Sequence, residues 1–229
     1  MADPDYSAYP QPTDIQQLLA LTNLWPSQAT DGAKQTALLA EFQIQLNSVK
    51  RTIAEKTGWK PFLAEAAPST RHFDASDGFG FLDLTPQETG IVDVDNNPPT
   101  ILIDGRTLTL NTDYFLRSSD DAAELWPYDG IQFVSAPYAG QVFALPNKIA
   151  ITARFGFCSS LPENLWSAIR GEVAAKTLNI MGLTSFQTTV RSRSQEGFSE
   201  TYDFGPLIAD RIKSWSDDFK AAYSPYIRP

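Results

Sequence analysis

The sequence predicts an α+β fold, a bundle of about four helices carrying an inserted β-rich module. Three observations lead there. Residues 13–66 and 158–224 place apolar side chains at three- and four-residue spacing, the period of amphipathic helices. Residues 67–157 instead hold short apolar runs between Asp, Asn, Gly and Pro, the texture of strands and turns. Charge divides the same way: residues 71–160 carry 12 acidic and 5 basic side chains, so −7 of the net −9 sits in the middle of the chain.

Residues 1–12 are polar and proline-rich and read as a flexible N-terminal tail. The first helix opens at Thr13-Asp14-Ile15-Gln16, a capping-box pattern with Thr13 as the cap, and continues with Leu18 and Leu19. The second is expected from about Ala33 to Lys56, where Leu38, Phe42, Leu46, Val49 and Ile53 form one stripe. Gly58 suits the left-handed position that ends it.

Strands follow around Phe73, from Phe79 to Leu84, and from Gly90 to Val94. The pair Asp104-Gly105 between Ile101-Leu102-Ile103 and Arg106-Thr107-Leu108 is a strong hairpin signal. Further strands are expected over residues 113–116, 131–134 and 149–155, and together they suggest a small sandwich or barrel-like sheet. Ser160-Leu161-Pro162-Glu163 then opens a third helix as a second capping box, with Leu165, Ile169, Val173 and Leu178 on one face and Gly182 as its stop. Residues 184–203 read as a polar loop or short hairpin. Pro206 starts a last helix with Ile208, Ile212, Trp215, Phe219 and Ala222 on one side. Residues 225–229 are a tail that Pro225 keeps from continuing the helix.

Composition bounds what the chain does. An apolar fraction of 42% in 229 residues supports a packed core. A net charge of −9 and a pI near 4.6 argue against a generic nucleic-acid binder or an anionic membrane surface. The single cysteine, Cys158, rules out an intramolecular disulfide and fits a reducing compartment. The start has neither a basic n-region nor an apolar run, and no apolar stretch is long enough to span a bilayer.

Groups that carry chemistry are sparse. His72, the single histidine, can share a strand face with Asp74, but no G-x-S-x-G elbow accompanies it. Cys158 lies before a helix and reads as a small buried residue. One His and one Cys do not make a zinc site. Asp93-Val94-Asp95-Asn96-Asn97 imitates an EF-hand loop, yet the sixth position is Pro98 and the twelfth Asp104, so an Asx-rich turn accounts for it. No catalytic residue, metal ligand or cofactor is expected, and the chain reads as a non-enzyme. Aromatic residues concentrate at the C-terminus: Trp215, Phe219, Tyr223 and Tyr226, followed by Ile227 and Arg228. Trp215 and Phe219 fit a helix core, whereas a terminal tail with aromatics and Arg fits a partner surface.

Several stretches, in order, resemble a known family: Thr57-Gly58-Trp59; Ser69-Thr70-Arg71-His72-Phe73-Asp74; Ile101 to Ile103 with Asp104-Gly105, through Asp113-Tyr114-Phe115-Leu116; Leu125-Trp126-Pro127; Phe155-Gly156-Phe157; and Leu161-Pro162. Together they resemble the head–tail connector (adaptor) proteins of long-tailed bacteriophages, over roughly residues 35–225. The resemblance implies a structural virion protein of the neck, assembled in the host cytoplasm. It further implies a ring of about twelve copies that joins the portal protein to a tail or stopper protein, with DNA passing through without specific binding. On that footing Trp215, Phe219, Tyr223, Tyr226, Ile227 and Arg228 are candidates for portal docking. Asp93, Asp95, Asp120, Asp121 and Glu124 are candidates for an acidic lumen or rim that repels phosphates. Arg191 and Arg193 mark a second interface loop. The alternative is a β-rich module that binds a glycan or another partner through Trp59, Trp126 and Tyr128.

Overall fold

The computed structural model describes residues 5–22, 24, 32–74, 80–103, 105–118, 126–134, 149–181, 190–195, 198–203 and 205–227. Among the described residues, four α-helices and three antiparallel sheets make an α+β fold. The chain divides into two compact units. One comprises Met1–Ile53 and Leu161–Ile227, and the other is Ala54–Ser160, inserted between those two stretches.

In the first unit, helix α1 (Pro12–Leu21) buries Ile15 and Leu19. Its cap is Gln11 instead of Thr13. The Gln11 backbone N–H donates to the Asp14 carboxylate at 2.6 Å, so the chain enters the helix two residues earlier, with proline tolerated in the first turn. Helix α2 (Gly32–Thr57) follows the expected stripe, with Phe42, Leu46, Val49 and Ile53 all fully buried. Gly58 takes φ +76° and donates to the Ala54 carbonyl at 3.0 Å, the left-handed stop read from sequence.

Helix α3 (Glu163–Met181) begins three residues beyond Ser160. The first helical bond there runs from the Trp166 N–H to the Pro162 carbonyl, so Ser160 is not its cap. Gly182 lies outside the described residues. Helix α4 (Gly205–Tyr223) buries Ile208, Ile212, Trp215, Phe219 and Ala222. It packs on α3, where Trp215 crosses Gly171 and the Ser216 hydroxyl donates to the Glu172 carboxylate at 2.7 Å. Between these helices the chain forms an antiparallel hairpin, β9 (Val190–Gln195) with β10 (Phe198–Asp203). The N-terminal segment, expected to be flexible, is tied down from Tyr6. That ring meets Trp166 edge-on at 5.7 Å, and the Tyr6 carbonyl accepts from the Leu161 N–H at 2.7 Å.

Among its described residues, the second unit holds eight strands in two sheets. The larger orders β1 (Ser69–Phe73), β8 (Ile149–Phe155), β4 (Thr100–Ile103) and β5 (Arg106–Leu108), with β3 (Ile91–Val92) also on β8. The smaller orders β2 (Phe81–Asp83), β7 (Gly130–Phe133) and β6 (Tyr114–Arg117). β8 shows the clearest two-residue period: Ile149, Ile151, Ala153 and Phe155 face one core while Ala150, Thr152 and Arg154 face away. That core draws on all eight strands and includes Phe73, Leu82, Ile101, Leu108 and Ile131. Tyr114 sits fully buried in it and donates its hydroxyl to the Pro99 carbonyl at 2.7 Å.

The unit begins earlier than the β texture does. Residues 59–64 run beside the exit of β8: Phe157 and Cys158 both donate N–H to the Phe62 carbonyl, and Ala64 donates to the Cys158 carbonyl. Leu63 and Cys158 form a parallel bridge. Side chains follow the backbone, with Phe62 stacked on Phe157 at 4.9 Å and Trp59 against Phe157 at 5.3 Å. The two ends of the insertion are thereby clasped together.

Candidate functional site

The structure sorts the C-terminal aromatics into two groups. Trp215 and Phe219 point into the helical core, with Phe219 only 3% exposed, so as placed they pack the bundle and are not surface anchors. Tyr223 meets the Phe219 ring edge-on at 5.1 Å and is half-buried. Beyond it Ser224–Tyr226 forms a 3-10 turn, with Tyr226 half-buried and Ile227 exposed. Arg228 lies outside the described residues.

The acidic candidates also separate. Asp93 is engaged within its own unit. It holds φ +57°, and its carboxylate accepts from the Asn96 and Asn97 side-chain amides at 2.7 and 2.6 Å and pairs with Arg154 Nη1 at 2.6 Å. Arg154 in turn donates through Nε to the Glu65 carbonyl at 3.0 Å. The Asn96 amide, with the Arg154 guanidinium behind it, holds the Asp93 carboxyl below the usual 3.8. Asp93 therefore organises a turn, its charge paired with Arg154 within the unit. Asp95, two residues on, is exposed. Asp120, Asp121 and Glu124 lie outside the described residues. Arg191 and Arg193, expected in a second interface loop, fall in β9, so that segment has a hairpin backbone.

The remaining candidates resolve by burial. Cys158 is buried, its thiol donates toward the Phe62 carbonyl at 3.7 Å, and burial pushes its pKa up to about 12. That is an inert packing residue. His72 and Asp74 are exposed on and beside the edge strand β1. Trp59, proposed as a surface platform, is completely buried. Its neighbour Trp126 is half-buried, and Trp59 and Phe157 both meet Trp126 near-perpendicularly at 5.7 Å. Tyr128 is 40% exposed. Trp126, Tyr128, Asp95 and Asn96 line one groove of about 280 Å³ on the β unit.

Some exposed residues carry no signal in the helical periodicity that marks the core. Leu21, Ile44, Ile180 and Leu207 are each about 60–70% exposed, off the buried stripes of their helices. Ile44, between the buried Phe42 and Leu46, is where a stripe read at three- and four-residue spacing leaves an apolar residue outside. A second groove of about 510 Å³, lined by Leu18, Ala168, Arg170, Trp215, Asp218 and Ala222, opens on the helical unit.

No protein-family model matches the chain, and no curated protein matches it. Among solved structures, a chain from the neck of an empty gene transfer agent particle, computed with C6 symmetry, is similar at 14% identity and a TM-score of 0.45. The match covers 93% of this chain and 92% of that one. A likeness of that degree carries no functional argument.

Proposed function

We propose that the chain is a head-to-tail adaptor of a phage-like particle, forming a ring between portal and tail through which DNA passes. The observation that carries the reading is the coincidence of the family-like motifs with the insertion architecture. Thr57-Gly58-Trp59 ends α2 and enters the β unit. Asp113-Tyr114 begins β6, with the Asp113 carboxylate accepting from the Thr109 N–H at 2.7 Å and Tyr114 in the core. Phe155-Gly156-Phe157 leaves β8 at the clasp, and Leu161-Pro162 starts the return into the helical unit. These four motifs thus stand where the chain crosses between helical and β units or turns within the latter.

In this reading the partners are copies of the chain itself, a portal protein, and a tail or stopper protein. The chain acts by assembly and not by catalysis. Its excess of acidic side chains suits a conduit, since a wall that bound phosphates would retain the genome. The end from Tyr226, half-buried, to the exposed Ile227 is the portal-docking segment, ordered further on contact.

Negative-stain microscopy with native mass spectrometry, on the chain alone and with the portal protein encoded near it, tests the reading. A closed ring with a central hole in either sample supports it and counts the subunits. A monomer in both samples refutes it.

A further inference from the structure

We infer that the groove on the β unit is a binding site for a neutral, hydroxyl-rich carbohydrate. Its wall joins two segments far apart in sequence, the 93–97 turn and the 126–128 stretch, with Ser159 and Ser160 at the rim. The turn is rigid, because the Asp93 carboxylate holds both the Asn96 and Asn97 amides and Arg154 locks Asp93 in place. The opposite wall is rigid too. Tyr128 exchanges both backbone hydrogen bonds with Ile91, at 2.8 and 3.0 Å, and Trp126 is held by Trp59 and Phe157.

The chemistry on these two walls is complementary to a pyranose. A sugar ring presents apolar C–H faces and a rim of hydroxyls, so it asks for an aromatic surface beside oxygen acceptors and small donors. Tyr128 and Trp126 supply the aromatic surface. Asp95, exposed and outside the Asp93 network, supplies a carboxylate able to accept from two neighbouring hydroxyls. Asn96 retains its side-chain carbonyl after committing its amide to Asp93, and the two serine hydroxyls both donate and accept. The volume, about 280 Å³, lies near the lower end of the ~300–1,000 Å³ of small-ligand pockets and suits one ring. Charge sets the class: no lysine or arginine is among the residues that line the groove, Arg154 already neutralises Asp93, and the exposed Asp95 carboxylate is left to repel an acidic sugar. This site is independent of the assembly role, and its test does not require a ring.

Saturation-transfer NMR on the full chain, with glucose, galactose, mannose and sialic acid offered separately, reads binding directly. Ring protons of at least one neutral sugar receive saturation and those of sialic acid do not. Asp95→Ala and Tyr128→Ala, both at exposed side chains and checked for folding by circular dichroism, each weaken that binding about tenfold, the ~1.4 kcal/mol of one lost contact. The inference is overturned by an absence of transfer to all three neutral sugars, by equal transfer to sialic acid, or by transfer that survives both substitutions.

Discussion

Replacing Tyr114 by phenylalanine removes one oxygen and leaves the ring. The hydroxyl donates to the Pro99 carbonyl at 2.7 Å inside the β core, where Tyr114 has no exposure and Pro99 is buried. Losing the bond costs about 1 kcal/mol net, and stranding a buried carbonyl raises the total to about 1–3 kcal/mol. At roughly 4–8 °C per kcal/mol for a unit of about a hundred residues, a mid-range loss lowers the melting temperature by ~10 °C. A second signature follows from titration. Burial raises the Tyr114 phenol from 10.0 to about 12, so the folded state holds its proton more tightly than the unfolded state. That stabilisation is fully present below pH 10 and is lost as pH rises from 10 toward 12, by up to ~1.4 kcal/mol per pH unit. Cys158 also titrates high, but it is common to both proteins, so the difference between the wild-type and Tyr114→Phe profiles isolates the phenol. Urea denaturation between pH 7 and 11, with calorimetry at pH 7, makes the measurement. Identical melting temperatures and superimposable alkaline limbs would refute the reasoning.

Three further outcomes are expected. Gly171→Ala gains about 1 kcal/mol of helix propensity, but its Cβ meets Trp215 Cδ1 at 2.9 Å, and overpacking of that kind costs about 1–3 kcal/mol; the denaturation midpoint falls, and a rise would show that α3 and α4 part without cost. Cys158 stays unreactive toward a chromogenic disulfide reagent at pH 8 in the native protein and reacts fully in urea, while fast native labelling would contradict its burial. Asp93, with its carboxyl pKa depressed by Asn96 and Arg154, contributes stability that is present above 3.8 and fades as pH drops below it; Asp93→Asn flattens that acid limb, and an unchanged limb would disprove the coupling.

Much of the fold was legible because local patterns and tertiary packing agree in it. The α2 stripe from Leu38 to Ile53, the Gly58 stop and the β8 alternation each place a side chain by period alone, and the core uses them as read. What stayed hidden depends on partners distant in sequence. Trp59 follows a helix stop and looks free to project, yet residues near 157 lie beside it and bury it. Asp93 reads as one acid among several until Arg154, 61 residues away, claims it. The cap at Gln11 was missed for a local reason: its donor is a backbone N–H, and Asp14 serves as the reciprocal acceptor, whereas Thr13-x-x-Gln16 matches the commoner side-chain pattern. The groove joining Asp95 to Trp126 and Tyr128 required the fold itself, since its two walls are thirty residues apart.

The clasp between Phe62 and Cys158 brings together positions 96 residues apart in the chain. A segment whose entrance and exit touch has a topology like that of a cassette. Its loss, exchange or enlargement leaves the flanking chain a gap of only a few ångströms to close, and closing a loop costs little more when the loop grows, about 0.6 kcal/mol per doubling. In loop-closure terms alone, a change in the size of the insertion therefore costs the flanking chain little. Excising residues between the clasp partners and joining the cut ends through a short Gly-Ser bridge should leave a soluble helical remnant, and grafting the excised piece between neighbouring ends of another scaffold should transplant its groove intact.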